Sequence, residues 1–272
     1  PSQYQNLRLA PDGKRLAVEI HDAGTGAGDL WLLDLARRTT SRFTFDGSHN
    51  SWPVWSPDGN RLVFTSFREG PRDLYLKLTS GAGPDEPLLK SSTGKEPTDW
   101  SSDGRFLVYA NEDPKTKQDL WVFPLFGDRK PKPYLETPFN EREGRLSPDG
   151  RWMAYASDES GAPEVYVQPF PASRRKWQIS IKGGEAPRWR RDGKELLYVA
   201  SGRTIMSVAV ETVPTFRAGV PRALFEVPIR RTAMLDYDVT ADGQRFLVNT
   251  PAEQATESPI IVIVNWMAAL RR

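Results

Sequence analysis

PVWSPDGNRLVFTS, residues 53–66, sets Ser-Pro-Asp-Gly between two apolar stretches. That order describes a tight hairpin. Proline presets φ at the second turn position, aspartate accepts local backbone hydrogen bonds, and glycine supplies the left-handed residue. Leu62 and Phe64 stand four and six places after Asp58, the period of two that marks a strand. Trp55, three places before Asp58, places a second strand on the way into the turn.

The stretch recurs. LRLAPDGKRLAVEI (7–20), TDWSSDGRFLVYAN (98–111), GRLSPDGRWMAYAS (144–157), PRWRRDGKELLYVA (187–200) and YDVTADGQRFLVNT (237–250) align with it without gaps. The turn aspartates are Asp12, Asp58, Asp103, Asp149, Asp192 and Asp242, spaced 46, 45, 46, 43 and 50 residues apart. A near-constant period of this length is the mark of a repeat architecture. About fifteen residues after each turn comes a third-strand signature: DLWLLDL (29–35), DLYLKL (73–78), DLWVFPL (119–125) and EVYVQPF (164–170). Its leading acid reads as a turn former, which repeat five lacks in TIMSVAV (204–210). Fourth segments follow at 41–45, 86–90, 132–136, 176–180 and 222–226.

Four short strands per unit predict an all-β protein, one blade of a β-propeller per repeat. Six antiparallel blades are expected in a single domain of residues 1–272, with limits near 1–46, 47–92, 93–138, 139–182, 183–228 and 229–272. The last blade is expected to be three-stranded, its fourth strand lying upstream of residue 1. NWMAALRR (265–272) reads as a short C-terminal helix or tail.

The W-S-x-D-G turn followed by D-L-W/Y resembles the TolB-type propeller repeat, a relative of WD-repeat blades. DLWLLDLARRTTSRFTFD, SPDGRWMAYASDESGAPEVYVQPFP, KWQIS and PRWRRDGKELLYV are similar to the carboxy-terminal propeller region of large bacterial serine/threonine protein kinases. That resemblance implies a sensor or protein-interaction module attached to a kinase, on the extracytoplasmic or periplasmic side of a membrane. The kinase motifs themselves are missing from the sequence.

Composition excludes several classes. Lys plus Arg number 37 against 35 Asp plus Glu, so no global field draws the chain to nucleic acid. Without cysteine there is no disulfide frame and no thiol nucleophile. The most apolar run, PIIVIVNW (259–266), suits a buried strand and is too short to span a membrane. The basic clusters at 173–176, 188–191 and 229–231 alternate with acids and read as solvated surface.

Chemistry finds little support. No G-x-S-x-G elbow occurs, and His21 and His49, the two histidines, fall at strand and loop ends that suit a blade rim better than a general base. The acids of SDESG (157–161) and NEDPK (111–115) read as turn formers, so neither a metal nor another cofactor is expected. GTGAG (24–28) joins two strands and opens no helix, unlike a phosphate loop. Trp55, Trp100 and Trp189 share a repeat position with Leu9, Leu146 and Val239, which marks core filling.

One position stands out. Four places before each turn aspartate stand Arg8, Val54, Asp99, Arg145, Arg188 and Asp238, on the strand expected to line the central channel. Charges there need partners or solvent. Ion pairs between neighbouring blades, Asp99 with Arg145 and Asp238 with Arg188 or Arg8, are one reading. The other is a site at the channel mouth, joined by Glu96, Arg142 and Glu185, for a protein, a peptide end or a small polar ligand. The expected function is therefore non-catalytic binding by a monomeric propeller. The alternatives are the substrate-gating propeller of a serine peptidase and a free-standing periplasmic scaffold of the TolB type.

Overall fold

The computed structural model describes residues 3–22, 24–227, 237–249 and 260–264, all strand and turn with no helix among them. The first repeat forms an antiparallel sheet of β1 (Gln3–Leu9), β2 (Arg15–His21), β3 (Gly28–Asp34) and β4 (Thr39–Arg42). The second forms β5 (Asn50–Trp55), β6 (Arg61–Ser66), β7 (Asp73–Leu78) and β8 (Glu86–Leu89). The third forms β9 (Lys95–Trp100), β10 (Phe106–Asp113), β11 (Lys117–Pro124) and β12 (Lys132–Leu135). The fourth forms β13 (Glu141–Leu146), β14 (Trp152–Ser157), β15 (Glu164–Pro169) and β16 (Trp177–Gln178). In the fifth, β17 (Gly184–Trp189), β18 (Glu195–Ala200) and β19 (Thr204–Glu211) are completed by β20 (Arg217–Ala218) and β21 (Arg222–Glu226), which both pair with β19.

These are five propeller blades, where six were expected. Among the described residues the sixth repeat forms only a three-stranded sheet, β22 (Tyr237–Val239), β23 (Arg245–Asn249) and β24 (Ile260–Val264). The count of turn motifs gives the count of hairpins, and a hairpin becomes a full blade only where two further strands follow. The helix or tail expected at 265–272 lies outside the described residues.

The turns form as their residues require. Each of Asp12, Asp58, Asp103, Asp149, Asp192 and Asp242 accepts the backbone N–H two places on, at 2.8–3.2 Å. The glycine after each has φ between 66° and 75°, open to glycine at no steric cost. Hydrogen bonds from Arg190 hold Asp192 down to about 2, against the opposing effect of its partial burial.

The chain divides into two compact units. The first holds the described residues up to Pro97 with 237–240, 245–249 and 260–264; the second holds 98–227 with 241–244. In the first, Ala10, Ala17, Leu30 and Phe43 pack against Trp55, Leu62, Phe64 and Tyr75, while Leu7, Leu16 and Val18 meet Leu247. In the second, Val108, Leu120 and Tyr134 pack against Leu146, Met153 and Tyr155. There too, Trp152, Val165 and Ile179 pack against Leu196, Tyr198 and Phe216. Within each unit the apolar faces of neighbouring sheets thus bury each other.

Tryptophan adds a polar tie to that packing. Trp55 Nε1 donates to the carbonyl of Arg8 at 2.9 Å and Trp189 Nε1 to that of Arg145 at 3.0 Å, each joining the inner strands of successive blades. Trp100 instead donates to Gly104 of its own turn. Trp189→Phe keeps the ring and removes the tie, so thermal denaturation should show a loss of about 1 kcal/mol with the fold intact. No loss would mean that the hydrogen bond is replaced by water.

Candidate functional site

The innermost strands are not simple alternating strands. In β1, β5, β13 and β17 the register slips between residues 5 and 8, 51 and 54, 142 and 145, and 185 and 188. Asn6, Trp52, Glu143 and Ala186, each six places before the turn aspartate, take φ of 50–59° inside that bulge. Left-handed backbone is uncommon for such residues, and Pro97, whose ring holds φ negative, fills the corresponding place in β9. The bulge sets two residues against one on the partner strand. Residues seven and four places before the turn, which simple alternation would send to opposite faces, therefore share one face.

In the second unit that face carries Arg142 with Arg145 and Glu185 with Arg188. Arg142 and Glu185 form an ion pair between the starts of β13 and β17, with side chains 27% and 40% exposed. Burial raises the Glu185 carboxyl above its ordinary value, against the pull of the Arg142 guanidinium. Glu143 accepts the Ala186 N–H at 2.6 Å, a second tie between the same strands. Deeper along them, Asp99 accepts the Leu146 N–H at 2.7 Å and lies 3.5 Å from Arg145 Nη1. Burial pushes the Asp99 carboxyl up, against the pull of Arg145 and of that N–H. Arg188, itself buried, donates to the carbonyl of Pro187.

The first unit repeats the device. Asp238 accepts the Leu9 N–H at 2.8 Å, as Asp99 accepts that of Leu146, and Arg8 donates to the carbonyl of Leu7. Glu96 pairs with Arg72, which lies over the Trp52 ring. The charges four places before the turn are thus engaged within the fold, while Arg142 and Glu185 stay accessible.

Of the acids that open the third strands, Asp119 accepts from Thr116 in its own hairpin turn, and the other three hold connections. Asp29 accepts from Thr44 at 2.7 Å, Asp73 from Ser91 N and Lys95, and Glu164 from Ser180 and Gly183 N. Each ties a third strand to the segment leading into the next blade.

Sequence reasoning also missed a convergence in the first unit. Glu19 and His21, two apart on β2, share a face, and His49 stands just before β5. His21 Nε2 and His49 Nε2 lie 2.6 and 2.9 Å from the same carboxylate oxygen of Glu19, which is buried. An E-x-H pair on a strand was the only local signal, and His49 lies 28 residues further on.

Residues 6–123 match the family model described as PD40, TolB beta propeller domain. The structure of TolB from Acinetobacter baumannii superposes with a TM-score of 0.73 at 17% identity, over 94% of this chain and 62% of that one. The fold is a TolB-like β-propeller. The Tol-Pal system protein TolB of Bordetella pertussis is 30% identical over 136 residues, 49% of this chain and 28% of that protein. An uncharacterised protein of Agrobacterium fabrum is 23% identical over 208 residues, 70% of this chain and 68% of that protein. The matched stretch covers little more than a quarter of the length of the Bordetella relative. What this chain's geometry offers is a partly exposed cation and anion paired at the starts of β13 and β17.

Proposed function

We propose that this chain is a non-catalytic, protein-binding propeller module that grips its partner at the starts of β13 and β17. The observation that carries the reading is the Arg142–Glu185 pair. It is partly exposed where Arg8, Asp99, Arg188 and Asp238 hold backbone groups of the fold. A protein setting suits it, since the Bordetella relative is named as a protein of the Tol-Pal system. The kinase setting implied by the resemblance has no support in these similarities and forms no part of the proposal.

The test places a photo-crosslinking amino acid at position 142 or 185, and at turn position 149, in cells that make the full protein. Discrete protein adducts are expected at 142 and 185 and none at 149. Arg142→Ala with Glu185→Ala should abolish adducts formed from a probe at neighbouring Glu143. Because exposed ion pairs contribute only about 0–1 kcal/mol, that double variant should melt within a few degrees of the parent. Adducts of equal yield at all three positions, or none at 142 and 185, would end the reading.

A further inference from the structure

We propose that Glu19, His21 and His49 form a binding site for a divalent transition-metal ion of the zinc class, with solvent at the open fourth position. This site is independent of the partner surface proposed above. Two imidazoles and one carboxylate are the donor set such ions prefer, and their ligand atoms all lie within 4.8 Å of one another. Around an ion with bonds near 2.0–2.2 Å, tetrahedral ligands stand about 3.3 Å apart. The 2.6 and 2.9 Å separations reach that spacing by an opening of well under an ångström.

The surroundings are those of a ligand set and not of an ordinary ion pair. His21 Nδ1 lies 3.2 Å from the carbonyl of Gly26, which can only accept, so Nδ1 carries the proton. In the neutral ring this turns the Nε2 lone pair towards Glu19, an arrangement a cation between them satisfies. Ligating histidines commonly fix their tautomer through such a backbone carbonyl. The other carboxylate oxygen of Glu19 accepts from Asn6 Nδ2 at 2.5 Å, which fixes the carboxylate from behind. Gly28 completes the cradle. A Cβ there would lie 2.6 Å from Glu19 Oε1 and 3.1 Å from His49 Nε2, so glycine leaves the room the ion needs. The imidazoles are 21% and 32% exposed, giving an entry path and a place for water.

The experiment uses the full chain without a histidine tag, stripped with EDTA and titrated calorimetrically with zinc chloride. One equivalent should bind, and magnesium chloride should give no saturable signal. His49→Ala, at a half-exposed loop position, should weaken zinc by more than the roughly 10–100-fold that losing an outer partner costs. Gly28→Ala should weaken it too while all three ligands remain. Cobalt in place of zinc should show the intense visible absorption of a four-coordinate ion, lost in His21→Ala. No saturable zinc uptake overturns the proposal. So does uptake unchanged in His49→Ala and Gly28→Ala, or a cobalt spectrum unchanged in His21→Ala.

Discussion

Lys95→Met should destabilise the chain by about 3–5 kcal/mol, read as a fall in the urea midpoint at constant slope. Lys95 is 1% exposed, and its ammonium donates to Asp73 and to the carbonyl of Thr93, both at 2.8 Å. Asp73 is buried beside it and otherwise accepts only the Ser91 N–H among the hydrogen bonds described. Removing the ammonium leaves a desolvated carboxylate with one weak donor, and that uncompensated charge is where the large effect comes from. The exposed pair Lys90–Glu69 carries no such penalty, and Lys90→Met should leave the urea midpoint nearly where it is. The double variant Lys95→Met/Asp73→Asn discriminates further. Asparagine keeps an acceptor for Ser91 N and removes the charge, so at least half of the loss should return. A double variant no better than the single would show that the cost lies in packing around the lysine stem.

The hairpins were legible because their cause is local: an aspartate, a glycine and the N–H two places on all lie within four residues. The inner-strand bulge was not. Its left-handed position is filled by Asn6, Trp52, Glu143 and Ala186, which share no side-chain chemistry. What selects it is the pairing with the second strand, which no window of one strand contains. That bulge decides which charges share a face, so Arg142 and Glu185 were named as site residues without the reason that Arg145 and Arg188 stand beside them. Asp29, Asp73 and Glu164 were misread as turn formers for a similar reason. Their partners, Thr44, Ser91 and Ser180, follow at differing separations, and only the closed connection brings them together. The histidines were legible one at a time and illegible as a pair. The three strands of the last repeat were legible, but the count of six blades was not, since a repeat motif reports its hairpin and says nothing of the edge strand that completes a blade.

The same repeat position that holds Lys95 in β9 holds Glu141 in β13, and it faces a second acid. Burial pushes Glu141 up to about 7, the Asp119, Glu159 and Asp158 carboxylates add to the rise, and the Thr137 hydroxyl opposes it. Asp119, buried as well, is also raised, first by burial. In the unfolded chain Glu141 ionises near 4.3, so between that pH and about 7 the folded state binds the extra proton. Stability from this group is complete below the unfolded value and is lost as pH rises through about 7. The total is about 4 kcal/mol, at about 1.4 kcal/mol for each pH unit of the gap. Glu141→Gln removes the titration and keeps a side chain of the same size and shape. The variant should therefore match the parent near pH 4.5 and exceed it at pH 8 by up to about 4 kcal/mol, measured by urea denaturation at each pH. A difference between the two chains that does not change with pH would show that Glu141 keeps its ordinary ionisation, and that the two acids are held apart by water.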